Sequence, residues 1–221
     1  MKTHVKVCGI TRPEDAEKAL SLGAEYLGIN VYAKSPRSVT VDQIPALLEA
    51  IPAGRRVLVD VSTPTDQLEQ YLSFGFDYYQ IHFDLNIAMA SIAAWSGIVG
   101  QHALWVAPRM SEKDHYFPQV LMEFADTVLL DAYHKDSYGG TGIAGQNWQR
   151  FLDYTLLYQH KAWVLAGGLS PENILEALSF TQARAVDVNS GVEASPGIKD
   201  HDKLEQIFAR IKQYDQERND P

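Results

Sequence analysis

Ala185-Val186-Asp187-Val188-Asn189-Ser190-Gly191-Val192-Glu193 opens as a strand and closes as a turn. Val186 and Val188 alternate with Asp187 and Asn189, so one face is apolar and the other polar. A strand with helices on one side and a polar interior on the other carries this pattern. Asn189-Ser190-Gly191 then adds an amide, a hydroxyl and a residue without Cβ, which lets backbone N–H groups approach an anion closely. Upstream, Trp163-Val164-Leu165-Ala166-Gly167-Gly168-Leu169-Ser170-Pro171-Glu172-Asn173 repeats the plan: strand, glycine turn, helix start. Ser170 is the expected N-cap and Pro171 the first helical residue. Either turn alone is an ordinary strand-to-helix connection. Two in succession near the C-terminus are where a (β/α)₈ barrel builds its phosphate site. They nominate Gly167, Gly168, Asn189, Ser190 and Gly191 as phosphate-binding residues.

Working back through the chain, the same alternation recurs. Val5–Ile10, Tyr26–Tyr32, Arg56–Val61, Tyr78–Phe83, His102–Arg109 and Thr127–Ala132 read as strands. Thr11 is expected to cap a helix with Pro13 in its first turn and Ala16, Ala19 and Leu20 as its apolar stripe, ended by Gly23. Helices are expected over Val41–Ile51, from Pro64 through Leu72, around Ile87–Trp95, Phe117–Phe124 and Trp148–Tyr158, and over Lys203–Tyr214. Eight strand–helix units without linker-like composition predict one closed parallel barrel, the (β/α)₈ or TIM barrel, as a single domain over residues 1–221. A doubly wound open sheet is the competing architecture.

In a barrel, alternate strand residues point inward, and those at the C-terminal strand ends line the active site. If the apolar set faces the helices, the inward set holds Lys6, Cys8, Asp60, Gln80, His82, Asp131 and Asp187. Buried ionic groups are costly unless paired, so a structural network explains Lys6 with Asp187 or Asp60 as well as a functional one does. Cys8 and Asp131 stand at strand ends, where a thiol and a carboxyl flanking an anchored substrate suit proton transfer between carbon and oxygen. No histidine with a partner is evident in sequence beside Cys8, which argues against thiol nucleophilic catalysis, although His82 is a partner that folding can bring near. Arg37, in Lys34-Ser35-Pro36-Arg37-Ser38, sits in a loop at the catalytic end, where an arginine clamps a carboxylate with two parallel hydrogen bonds or simply stays solvated. Tyr138-Gly139-Gly140-Thr141-Gly142 is either a lid or a plain connection, and Gly140 is its candidate pocket residue.

Composition narrows the partners. The net charge is −9 and no Lys/Arg run is long enough to follow a nucleic-acid backbone, so an anionic substrate must be held by a few local groups. One cysteine precludes an internal disulfide and fits a reducing cytoplasm. No window has the ~18 apolar residues of a membrane span, and no apolar leader follows Met1. No Cys/His cluster has metal-ligand spacing, so no metal is expected. The residues themselves leave open an isomerase of a phosphorylated aminosugar or ketose, and a barrel that binds a phospholigand without turnover.

Taken together, Lys6-Val7-Cys8-Gly9-Ile10-Thr11, Lys34-Ser35-Pro36-Arg37, Gln80-Ile81-His82, Leu129-Leu130-Asp131, Gly139-Gly140-Thr141-Gly142, Leu165–Asn173, Asp187–Glu193 and Ser195-Pro196-Gly197-Ile198-Lys199-Asp200 resemble the N-(5′-phosphoribosyl)anthranilate isomerase family of tryptophan biosynthesis. The resemblance spans almost the whole chain. It implies a cofactor-free Amadori rearrangement of an aminoaldose to an aminoketose; a monomer or homodimer is expected, with nothing in the sequence to choose between them. It further implies that Asp131 is the general acid, that Cys8 is the general base, that Arg37 holds the anthranilate carboxylate, and that amides around Gly168, Ser190 and Gly191 hold the phosphate. The chain departs from the family pattern at Asn30, Asp60-Val61-Ser62, Phe83-Asp84-Leu85 and Trp105–Arg109, all expected on the aglycone side.

Overall fold

A computed structural model of the chain describes residues 2–111, 114, 116–131 and 144–219. Eight parallel strands pair in sequence order and close on themselves: β1 (His4–Cys8), β2 (Tyr26–Asn30), β3 (Arg56–Val61), β4 (Tyr78–Asp84), β5 (Leu104–Arg109), β6 (Thr127–Asp131), β7 (Ala162–Ala166) and β8 (Ala185–Val188). Closure is made by β8 against β1, with Lys6 opposite Asp187 and Val7 opposite Val188. The ring is the barrel expected from the eightfold alternation, and the open sheet is excluded.

Around it run α1 (Pro13–Leu22), α2 (Ile44–Glu49), α3 (Thr65–Leu72), α4 (Met89–Val99), α5 (Ala144–Leu157), α6 (Ile174–Thr181) and α7 (His201–Asn219). A two-stranded antiparallel pair, β9 (Glu193–Ser195) and β10 (Ile198–Lys199), sits between β8 and α7. No helix among the described residues is long and apolar enough to cross a membrane.

Two apolar layers hold the barrel. The outer one lies between strands and helices: Val5, Val7, Ile29, Leu58, Ile81, Phe83, Val106, Val128, Leu165, Val186 and Val188 meet the buried faces of the helices. Each such side chain contributes about 1.5–3 kcal/mol by leaving water. The inner one fills the barrel with Cys8, Val57, Val59, Trp105, Ala107, Leu129, Val164 and Ala166, packed against Tyr26, Tyr78 and Ala185.

Several local expectations are corrected. Arg12, not Thr11, occupies the N-cap of α1 in extended conformation, because the Thr11 hydroxyl donates instead to the Gly197 carbonyl. Ser170 does accept from Glu172 N–H through its Oγ at 3.3 Å, but its carbonyl also takes Asn173 and Ile174 N–H, closing a turn that delays the start of α6 from Pro171 to Ile174. The segment after β5 forms only a 3-10 turn, Gln119–Glu123. Pro118 withholds a donor at its start, and Phe117 is fixed against Trp163 at 5.2 Å.

Candidate active site

The strand pleat puts Lys6 and Cys8, Gln80 and His82, Asp131 and Asp187 inside the barrel, since their neighbours Val5 and Val7, Ile81 and Phe83, Leu130, and Val186 and Val188 all belong to the outer layer. Asp60 is the exception. On β3 the inward residues are Val57 and Val59, so Asp60 points outward under the helices, where it accepts from Thr63 Oγ1 at 2.8 Å. Valine lines the inward face of that strand at 57 and 59 while Leu58 joins Asp60 on the outward one, so taking the apolar set as helix-facing inverts this strand. Burial pushes the Asp60 carboxyl up, against the Val61 N–H and the Thr63 hydroxyl.

At the C-terminal mouth the polar residues form two groups. The first is Lys6, Cys8 and Asp187. Lys6 is 1% exposed and donates to Asp187 Oδ1 at 2.9 Å. Burial lowers its affinity for the proton, but Asp187 and Cys8 outweigh this and hold the ammonium above its ordinary value. Burial also pushes the Cys8 thiol up, against the pull of Lys6 and Lys199. Burial raises Asp187 too, opposed by Lys6.

The charge of Asp187 also reaches Asp131. Loss of hydration, then Asp187, raise Asp131 to about 6, with Arg109 pulling the other way. Asp131 opens to solvent at the mouth, so water screens part of that push. His82 is driven down to about 3, first by burial and then by Lys6 and Arg109, and is a neutral imidazole paired with Gln80 Nε2 at 2.7 Å. It therefore brings no positive charge to Cys8.

The second group ties the loop after β2 to the turn after β8. Arg37 is 8% exposed and its Nε and Nη2 grip Glu193 at 2.6–3.1 Å. The two-bond fork expected to face a ligand carboxylate is thus taken by the protein's own Glu193, leaving Nη1 without a partner among the described residues. Lys199 Nζ joins Glu193 Oε1 and Asn189 Oδ1, each at 3.0 Å. Burial works against the Glu193 charge, yet Arg37 and Lys199 together hold its carboxyl below the usual range. Neither Glu193 nor Lys199 was assigned a role from sequence, although both stand inside the quoted motifs; no local pattern reveals a pairing across 156 residues.

The two glycine turns meet directly. Gly167 and Gly168 both take left-handed φ, 96° and 61°, which turns the chain sharply after β7. Ser190 and Gly191 open a 3-10 turn, Ser190–Val192, whose leading N–H groups have no acceptor within the turn. A Cβ on Gly191 would be driven into the Leu169 carbonyl, so glycine is what lets the two turns pack together. All five nominated residues are half-buried at the mouth. Since β7 and β8 lie between β6 and β1 in the ring, these turns sit between the strand of Asp131 and the strand of Cys8.

Of the departures from the family pattern, Asn30, Ser62, Asp84 and Arg109 stand at the C-terminal strand ends, whereas Asp60 faces the helices and Trp105 lies near the start of β5. Arg109 stands 3.7 Å from Asp84 in an ion pair. Asn30 Oδ1 accepts from Tyr32 N–H at 2.9 Å and shapes the loop carrying Arg37. Ser62 takes φ 47°, rare for a residue with a side chain. Gly140 and the rest of Tyr138–Gly142 lie outside the described residues. Among those described, no three His, Cys, Asp or Glu side chains are grouped to hold a metal ion.

The family model for N-(5′-phosphoribosyl)anthranilate (PRA) isomerase matches residues 5–210. The chain is 36% identical to the N-(5′-phosphoribosyl)anthranilate isomerase of Acinetobacter calcoaceticus, covering 96% of this chain and 98% of that one. It is 35% identical to that of Aquifex aeolicus, covering 94% and 98%. The barrel superposes on the crystal structure of phosphoribosyl anthranilate isomerase from Thermotoga maritima with TM-score 0.81 and 28% identity, covering 96% and 99%. It also superposes, at TM-score 0.74 and 25% identity over 96% and 99%, on a phosphoribosyl anthranilate isomerase in complex with reduced 1-(o-carboxyphenylamino)-1-deoxyribulose 5-phosphate. With a family model spanning nearly all of the barrel and full-length relatives above one-third identity, this chain belongs to the N-(5′-phosphoribosyl)anthranilate isomerase family.

Proposed function

We propose that this chain converts N-(5′-phosphoribosyl)anthranilate to 1-(2-carboxyphenylamino)-1-deoxyribulose 5-phosphate, with Cys8 as general base and Asp131 as general acid. One arrangement carries the reading: a thiol on β1 and a carboxyl on β6, both on inward positions at strand ends, with the two glycine turns on the strands between them. A pentose anchored by its phosphate at those turns lies between acid and base.

Asp131 protonates the furanose ring oxygen, the C1′–oxygen bond opens, and the nitrogen lone pair forms the Schiff base. The Cys8 thiolate then takes the C2′ proton, and the resulting enolamine tautomerises to the ketone. A carboxyl raised to about 6 keeps a usable proton close to neutral pH. The N–H groups of Gly168, Ser190 and Gly191 receive the phosphate, with Gly167 and Asn189 shaping the turns. Arg37 meets the anthranilate carboxylate through Nη1, one charge-assisted bond in place of a fork. These local donors are needed because a net charge of −9 supplies no general attraction for an anion. The lone cysteine supports a reducing cytoplasmic location. We read the assembly as monomer or homodimer, which light scattering decides.

The test follows the loss of anthranilate fluorescence on incubation with phosphoribosylanthranilate. Turnover abolished by Cys8→Ala and by Asp131→Asn supports the assignment. Turnover that survives either change removes that residue from its role, and no turnover by the unaltered chain rejects the activity.

A further inference from the structure

Lys6 is a charged side chain sealed inside the barrel that the acid–base scheme leaves without work. Its surroundings are specific. The ammonium has three protons to donate, and Asp187 Oδ1 takes one at 2.9 Å. The inward position beside it on β2 is Gly28, paired with Cys8 in the ladder. A Cβ there would stand 3.0 Å from Lys6 Nζ and 3.1 Å from Cys8 Sγ. The missing side chain is therefore the space in which the ammonium and the thiol come together.

We propose that Lys6, anchored by Asp187 and admitted by Gly28, is the positioning residue that supplies the counter-charge to the thiolate of Cys8. This rests on the reading of Cys8 as the base. Among the described residues four charged groups face the thiol: Lys6 on its own strand, Asp187 on β8, Lys199 on β10 and Arg37 from the loop after β2. Lys199 and Arg37 are both committed to Glu193. Among the described residues Lys6 has one other partner, Asp187, which leaves protons to spare on an ammonium that shares the Gly28 space with the thiol. For a buried group such as Cys8, a thiolate without an adjacent cation is strongly disfavoured.

The proposal is tested on the full chain, whose single cysteine lets the absorbance near 240 nm, taken as the difference from the Cys8→Ala variant to remove the 11 tyrosines, report on the Cys8 thiolate. Lys6→Met raises the thiolate midpoint by about one pH unit or more. Asp187→Asn lowers it, because Lys6 then turns wholly to sulfur. Lys6→Arg returns the midpoint towards that of the unaltered chain. If Lys6→Met does not fold, with Asp187 left unpaired, the neutral pair Lys6→Met/Asp187→Asn replaces it. Its midpoint still lies above the unaltered one, since Lys6 acts on the thiol more strongly than Asp187 does.

Activity follows the midpoint in a defined way. With the thiol above its ordinary value and Asp131 at about 6, the reactive pairing of thiolate with protonated acid is a minor species at every pH. Each unit added to the thiol midpoint then lowers the kcat/KM plateau about tenfold and moves its alkaline limb up by the same unit. The limb belonging to Asp131 stays in place. A purely structural lysine lowers activity with the 240 nm midpoint unmoved, and that result in a folded variant overturns the proposal. Loss of the Cys8→Ala effect on turnover would instead overturn the base assignment and leave the absorbance result standing.

Discussion

The inward positions of this barrel change character halfway up. Towards the N-terminal ends of the strands, Tyr26 meets Tyr78 and Trp105 edge-on while those two tilt against each other, with centroids 5.1–5.4 Å apart, closed in by Val57 and Ala185. Towards the C-terminal ends the same strands and their neighbours carry Lys6, Cys8, Gln80, His82, Asp131 and Asp187. Aromatic rings at these distances gain packing energy and ask for no hydration. The upper groups give up water for partial compensation, visible in how far Asp131 and His82 depart from their ordinary values. One end of the cylinder contributes stability; the other consumes some of it to hold reactive groups in place.

The sharpest way to break this contrast is to remove the acid. Asp131→Asn should lower kcat by about 10²–10⁴-fold, the usual worth of a general acid, with no loss of melting temperature. Stability should change with pH in a direction opposite to that of an ordinary paired carboxylate. The folded-state value of Asp131 lies above its unfolded value of about 3.8, so its contribution favours folding most at low pH and is lost as pH rises to about 6. The asparagine variant lacks that decline, which denaturant titrations across the interval reveal. A variant that melts early would mean that Asp131 belongs to the stabilising half.

Much of the contrast was legible in sequence because it follows from parity. Val186-Asp187-Val188 and Ile81-His82-Phe83 declare their faces by alternation, and six of the seven residues expected inside are inside. Asp60 is the exception because on β3 the valines face inward, and the Thr63 hydroxyl and Trp95 indole, which donates to the Thr63 carbonyl, organise the outside of that strand. Arg37 was placed at the correct end, but its engagement by Glu193 depends on a contact between distant segments. The helix after Ser170 starts at Ile174 and not at Pro171, because Asn173 Oδ1 accepts from Ser170 N–H and Ser170 Oγ from Glu172 N–H, closing a turn ahead of it.

The lower half yields the next largest effect. Trp105 is 3% exposed and touches both tyrosines. Trp105→Ala should cost about 3–5 kcal/mol in denaturant unfolding, while kcat per folded molecule changes little. A large fall in kcat without loss of stability would erase the division between the halves.

Glu193 tests whether the mouth is braced from outside the barrel. Glu193→Gln keeps an acceptor but removes the charge shared by Arg37 and Lys199, and should cost about 2 kcal/mol near neutral pH. Its carboxyl is held below its unfolded value of 4.5 in the folded state, so its contribution is fully present above that value and is lost as pH falls through the lower folded one. The variant should therefore show less acid destabilisation than the unaltered chain. KM for phosphoribosylanthranilate should rise more than kcat falls, because the residue released is Arg37 and not the acid or base.

The smallest effect concerns strain stored at the upper rim. Ser62 follows β3 with φ 47°, its N–H donating to the His82 carbonyl at 2.8 Å, so the turn is held in the left-handed region by the neighbouring strand. A side chain there costs of order 1–2 kcal/mol, and asparagine tolerates the region better than serine. Ser62→Asn, exposed at the mouth and altering no buried contact, should raise stability by about 0.5 kcal/mol, read as a higher denaturation midpoint with unchanged slope. Ser62→Ala, which keeps the Cβ and gains nothing in this conformation, should not. If both variants were equally stable, the left-handed turn would carry no strain, and the mouth would owe its lower stability to buried charge alone.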